Sequence, residues 1–169
     1  ASLTFADSAG VLPSITTGTV TVTGPSLAFN SGSTTLGMRQ TTGSSSYYIY
    51  TQNNVSAALT VNLVSTDTRV ATVPASVTIP AGSYYAYFAV TAQDTVGTIQ
   101  IQATATGFGP APPMTVQVTQ PKFVISTSSS VRTTSGAQVI TVYAMDANGN
   151  WHYTAEPVTV TLASSSGAV

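Results

Sequence analysis

The sequence predicts an all-β fold of the antiparallel sandwich class, and three observations carry that prediction. Apolar and polar residues alternate with period two along most of the chain, so that one face of each strand is buried. Turn residues interrupt the alternation at intervals of about 8–12 residues, the spacing of a sandwich rather than of a parallel sheet with crossovers. No helix-length window carries an apolar stripe at helical spacing.

Taken in order, Thr19-Val20-Thr21-Val22-Thr23 is the plainest strand, with one apolar and one threonine face. Further strands are predicted at 27–30, 46–51, 57–65, 70–73, 76–79, 83–92, 98–105 and 114–119. Their β-branched residues suit the pleat because their χ1 angles are stiff. Turns are expected at Gly24-Pro25, Ser31-Gly32, Thr42-Gly43, Pro80-Ala81-Gly82, Val96-Gly97, 107–113 and Asn148-Gly149. Late in the chain, Val158-Thr159-Val160-Thr161-Leu162 repeats the alternation and is predicted as a strand.

Composition narrows the function classes. The 169 residues include 4 Lys or Arg and 5 Asp or Glu, giving a net charge of −1. Without a basic surface to neutralise phosphates, nucleic-acid binding is not expected. With no cysteine, a disulfide framework or thiolate metal site is excluded. No apolar run is long enough for a transmembrane helix, and no basic-then-apolar leader opens the chain, so no membrane span is expected. A hydrophobic fraction of 43% is too high for disorder, despite 51 serines and threonines.

An internal repeat sets the domain count. Val20-Thr21-Val22-Thr23-Gly24-Pro25-Ser26-Leu27-Ala28-Phe29 aligns with Val116-Gln117-Val118-Thr119-Gln120-Pro121-Lys122-Phe123-Val124-Ile125, an offset of 96. Tyr47-Tyr48-Ile49-Tyr50 fits Ile140-Thr141-Val142-Tyr143 at offset 93, and Leu59-Thr60-Val61-Asn62-Leu63 fits Val158-Thr159-Val160-Thr161-Leu162 at offset 99. A period near 96 is close to the ~100 residues of an immunoglobulin-like (Ig-like) sandwich. The expected fold is therefore an Ig-like β-sandwich in tandem repeat, one complete domain flanked by two partial ones. Residues 1–26 would hold the C-terminal strands of a preceding repeat, 27–120 the complete domain, and 121–169 the N-terminal half of a following repeat. Two arrangements satisfy this: a window on a longer tandem array, or a subunit whose half-domains neighbours complete.

Val139-Ile140-Thr141-Val142-Tyr143-Ala144-Met145-Asp146-Ala147-Asn148-Gly149-Asn150, followed by Pro157-Val158-Thr159-Val160-Thr161-Leu162, resembles invasin/intimin-type bacterial Ig-like repeats. Val70-Ala71-Thr72-Val73-Pro74, Val77-Thr78-Ile79-Pro80-Ala81-Gly82 and Ala86-Tyr87-Phe88-Ala89-Val90 resemble the middle strands of related bacterial surface-protein Ig-like domains. The complete copy departs from that pattern at the hairpin, where Gln52-Asn53-Asn54-Val55 stands in place of Asp-Ala-Asn-Gly-Asn. The resemblance implies an extracellular or cell-surface bacterial protein whose domains serve as stalks or adhesive segments, and not an enzyme.

Four groups of candidate site residues emerge. Asp146, Asn148 and Asn150 begin like a calcium loop that Glu156 would complete, but Gly149 falls at position four, Trp151 at six and Pro157 at twelve, so the expected structure is a turn. The lone histidine belongs to Trp151, His152 and Tyr153, an aromatic cluster suited to a sugar or an interdomain contact; nothing in its spacing suggests a triad. Tyr48, Tyr50, Tyr85 and Tyr87 should share the outer face of one sheet as an interface, since their neighbours Ile49, Ala86 and Phe88 face inward. Asn54, in the only Asn-x-Ser/Thr sequon, is a glycosylation candidate.

The leading functional expectation is a structural module of a bacterial extracellular fibre, sheath or adhesin stalk. The expected partners are other copies of the chain or adjacent Ig-like domains, with glycans second, and no cofactor is expected. The alternatives are a carbohydrate-binding accessory module of a secreted protein and a non-catalytic segment of a large secreted hydrolase.

Overall fold

The computed structural model describes residues 24–126 and 140–163. The strand expected at 19–23, with residues 1–18, lies outside the described residues, as do 127–139 and 164–169.

The chain enters at β1 (Leu27–Phe29) and continues through β2 (Ser33–Gly37), β3 (Gln40–Thr41) and β4 (Tyr47–Thr51). Next come β5 (Leu59–Ser65), β6 (Ala71–Thr72), β7 (Ser76–Ile79), β8 (Tyr85–Phe88), β9 (Thr91–Ala92), β10 (Gly97–Thr104) and β11 (Met114–Thr119). A trailing segment adds β12 (Lys122–Ser126), β13 (Thr141–Met145) and β14 (Tyr153–Thr154). All described elements are strands.

β1, β4 and β8 form one sheet, and β2, β11, β10, β5 and β7 form the other. β1 lies on the edge of the first sheet, and the chain then switches to the second, where β2 runs parallel to β11. Every other pairing in these two sheets is antiparallel. This is an Ig-like order, two sheets wrapped around one apolar layer. A short third sheet, β14-β3-β9-β6, has at its centre β3 and β9, which continue β2 and β8.

Alternation produces the core directly. β10 buries Ile99, Ile101 and Ala103 while exposing Thr98, Gln100 and Gln102, and β11 buries Met114, Val116 and Val118. Facing them are Leu27, Ile49 and Phe88 from the first sheet, with Leu36, Val61, Leu63 and Ile79 completing the layer. Each such side chain contributes about 1.5–3 kcal/mol by leaving water.

Three sequence expectations need correction. The stretch 33–41, expected to hold no strand, contains β2 and β3; β2 finds a partner only because β11, eighty residues later, returns beside it. The strand expected over 83–92 is two, because the chain leaves β4 after Phe88 and joins β3 and β6 through β9. Strand 76–79 forms as expected and pairs with β5 at the edge of the second sheet. Residues 158–162 are not a strand despite their alternation. Their sequence counterpart β5 lies between β10 and β7, whereas 158–162 has no strand partner among the described residues.

The trailing segment contrasts with the sandwich it follows. Leu63 is 3% exposed, while its aligned counterpart Leu162 is 54% exposed. Phe123, Val124 and Ile125 are likewise exposed, where the aligned Leu27 is buried.

Candidate functional site

Two surfaces carry the residues singled out above. The first is the outer face of the β1-β4-β8 sheet. Register places Tyr48 opposite Tyr87 and Tyr50 opposite Tyr85. Ile49 and Phe88, at alternate positions, enter the core, so the tyrosines face out. Ring centroids lie 5.4 Å apart for Tyr48–Tyr85, 5.7 Å for Tyr48–Tyr87 and 5.9 Å for Tyr48–Tyr50. All four expected tyrosines therefore meet on one face. Tyr84, which parity in the expected 83–92 strand puts on the inner side with Ala86 and Phe88, lies just before β8 and joins them, its ring centroid 5.0 Å from that of Tyr85. The rings meet edge to face, with planes 86° apart for Tyr48–Tyr87 and 81° for Tyr85–Tyr87. Such a web is a rigid apolar surface studded with hydroxyls. Tyr85, the nearest phenol, holds the Tyr87 hydroxyl above the ordinary phenol range, with partial desolvation adding to it.

The second surface is the junction between the sandwich and the trailing segment. Only Gln120 and Pro121 separate β11 from β12, and Pro121 has its φ fixed by its ring. The Asp146–Asn150 turn then folds back on the sandwich. Ala147 N–H donates to Thr119 Oγ1 at 3.2 Å and Asn148 Nδ2 to Thr35 Oγ1 at 3.2 Å, while within the trailing segment Lys122 Nζ donates to Ala147 O at 3.2 Å. β14 pairs antiparallel with β3, matching Tyr153 to Thr41, and Ala155 N–H donates to Arg39 O at 2.7 Å. Gly37 closes the contact: a Cβ there would stand 2.9 Å from both Pro121 Cβ and Gln40 Oε1. Gln40 is itself buried, its Oε1 accepting from Gly37 N–H at 2.7 Å.

Asp146 organises this turn. Its carboxylate, 0% exposed, accepts from Asn150 N–H at 2.9 Å and Asn150 Nδ2 at 3.2 Å, and meets His152 Nε2 at 3.3 Å. Burial pushes this carboxyl up. The N–H groups of Asn150 and then His152 outweigh it, and on balance Asp146 is held below the ordinary carboxylate range. Gly149 supplies the positive φ, +85°, that the turn requires.

The four calcium-loop candidates are not brought together. Asp146 is engaged within the turn, Asn148 reaches Thr35, and Glu156 sits beside Arg39. No group of three or more metal-ligating side chains occurs among the described residues. Of the aromatic cluster, His152 turns inward to Asp146, while Trp151 and Tyr153 keep their rings in solvent although their backbone is paired. Asn54 is exposed on the β4–β5 loop and lines a cavity of about 790 Å³ with Pro25 and Phe108.

No family model and no curated protein matches the chain. Among solved structures it is similar to domains 5–6 of the S-layer protein SbsC, at 18% identity and a TM-score of 0.44, covering 75% of this chain and 66% of that one. A longer SbsC structure, residues 31–844, matches at 18% identity and a TM-score of 0.46, covering 75% of this chain and 16% of that one. WR4, a C. elegans MSP family member, matches at 13% identity and a TM-score of 0.34, covering 56% of this chain and 96% of that one. The chain thus spans just under two thirds of the first structure and a small part of the second.

Proposed function

We propose that the chain is a non-catalytic structural module of a bacterial extracellular or cell-surface assembly, in which Ig-like units follow one another as a stiff array. The observation that carries this reading is the junction. A two-residue linker, a docked turn and a shared strand pair leave the trailing segment little freedom to swing. Pairing register supports the repeat itself. β1 and β4 match Ala28 to Tyr50 and Phe29 to Ile49; β12 and β13 match Val124 to Tyr143 and Ile125 to Val142. The sequence offsets of 96 and 93 carry one set of pairs onto the other. The trailing segment then reads as the first half of a second unit, and its exposed Phe123, Ile125, Val160 and Leu162 as half of a core awaiting its second sheet. In this assembly the tyrosine face is the lateral contact between copies, being broad, rigid and uncharged.

Because the chain has no cysteine, two spin labels at Gln102→Cys and Ser126→Cys report the angle between units without interference. A narrow distance distribution is expected; a broad one, as for a flexible linker, overturns the stiff-array reading. Sedimentation tests the lateral contact. Tyr85→Ser with Tyr87→Ser should weaken self-association by at least tenfold and leave the thermal midpoint near wild type. Unchanged association would remove the tyrosines from the interface.

A further inference from the structure

We propose that the groove where the two units meet, walled by Trp151 and Tyr153, is a binding site for a neutral saccharide. This goes beyond the structural role and rests on it only in needing the units docked as described.

The lone tryptophan of the chain is 61% exposed and Tyr153 is 59% exposed, although the backbone carrying both is ordered by pairing. Exposure of two large rings on a held backbone needs a cause other than a loose loop. Their centroids lie 5.6 Å apart with planes at 81°, so they form a corner rather than a stack. Opposite this corner the sandwich supplies Thr41, Thr42, Gly43 and Ser46, enclosing about 230 Å³. Gly43 makes the space: a Cβ there would stand 3.6 Å from the Tyr153 ring and 3.0 Å from Ser46 Oγ.

The chemistry of the lining identifies the ligand class. An aromatic face attracts the C–H face of a pyranose, and the Ser46 hydroxyl with backbone groups opposite can meet its OH groups, Thr41 and Thr42 Oγ1 being held by Val90 and Thr91. The one ionisable side chain in the lining besides the tyrosines is His152, whose Nε2 is engaged by the buried Asp146, so no group is left to select a charged sugar. The groove holds about one ring of an oligosaccharide. A stable protein contact needs about 800 Å² per partner, which a concavity this small does not offer. Because one wall belongs to each unit, a bound ring bridges them. By linkage it favours the docked junction as much as docking favours binding.

Trp151, being the sole tryptophan, reports occupancy directly. Intrinsic fluorescence of the full chain is titrated with neutral tetrasaccharides built from glucose, galactose, mannose or N-acetylglucosamine. A saturable change with at least one of them, half-complete at roughly millimolar concentration, is expected. Gly43→Val should raise that concentration at least tenfold while leaving the spin-label distances unchanged. No saturable change with any sugar overturns the proposal, as does an affinity indifferent to Gly43→Val. A fluorescence change that follows protein concentration without sugar assigns the groove to a second copy instead. Absent binding with narrow spin-label distances sinks the saccharide site alone. Absent binding with broad distances sinks the docked array beneath it.

Discussion

Replacing Asp146 with alanine should unlatch the junction while leaving the sandwich intact. The carboxylate has no solvent exposure and holds two N–H groups of Asn150 and His152 Nε2. Hydrogen bonds to a charged group contribute about 1.5–3 kcal/mol each, but these three share one acceptor group and their donors can be rehydrated once the turn opens. We expect a net loss of about 3 kcal/mol, or roughly two orders of magnitude in the opening equilibrium. Amide hydrogen exchange locates the effect. Ala155 N–H is nine residues from the substitution, yet it depends on the same docking through its 2.7 Å bond to Arg39 O. In Asp146→Ala the amides of Ala147, His152 and Ala155 should exchange about a hundredfold faster, with Ile101 and Val116 in the sandwich core unchanged. Asp146→Asn, which keeps one acceptor oxygen, should fall between. Wild-type protection at Ala155 in the alanine variant would show that the turn does not hold the junction. Equal acceleration in the core would show that the two parts do not open separately.

Other outcomes follow from the same geometry. Leu63→Ala should cost about 2–4 kcal/mol in chemical denaturation, whereas Leu162→Ala at the aligned but exposed position should cost under about 0.5 kcal/mol; equal costs would mean that the trailing segment has a closed core. Gly37→Ala should destabilise by about 1–3 kcal/mol, since its Cβ meets Pro121 and Gln40 at 2.9 Å, and a thermal midpoint at wild type would refute that close approach. Acidification should loosen the junction. Asp146 is held below its unfolded value of about 3.9, so its contribution is complete above pH ~4 and lost as pH falls through the lower folded value. Spin-label distances should broaden on going from pH 6 to pH 2 in the wild type, and Asp146→Ala should be broad throughout.

What the sequence determined alone was everything that depends on period and local chemistry. Alternation in Thr98-Ile99-Gln100-Ile101 decides which side chains can be buried together. The same parity argument sets Tyr48, Tyr50, Tyr85 and Tyr87 outward. The turn at Asp146–Asn150 was legible because Gly149 and the local Asx bonds involve only neighbours in sequence. Pairing was not legible, because a strand exists only with a partner. β2 became a strand by lying beside β11, and Val158-Thr159-Val160-Thr161-Leu162, with stronger alternation, did not, for want of one among the described residues. Nor could local sequence show that Thr35 and Thr119 would receive Asn148 and Ala147, or that Trp151 would face Gly43 across a groove. Those contacts join residues about 30 to 110 positions apart. Their distances are decided by how the sheets stack and how the chain leaves the sandwich at Pro121, quantities that only the assembled fold contains.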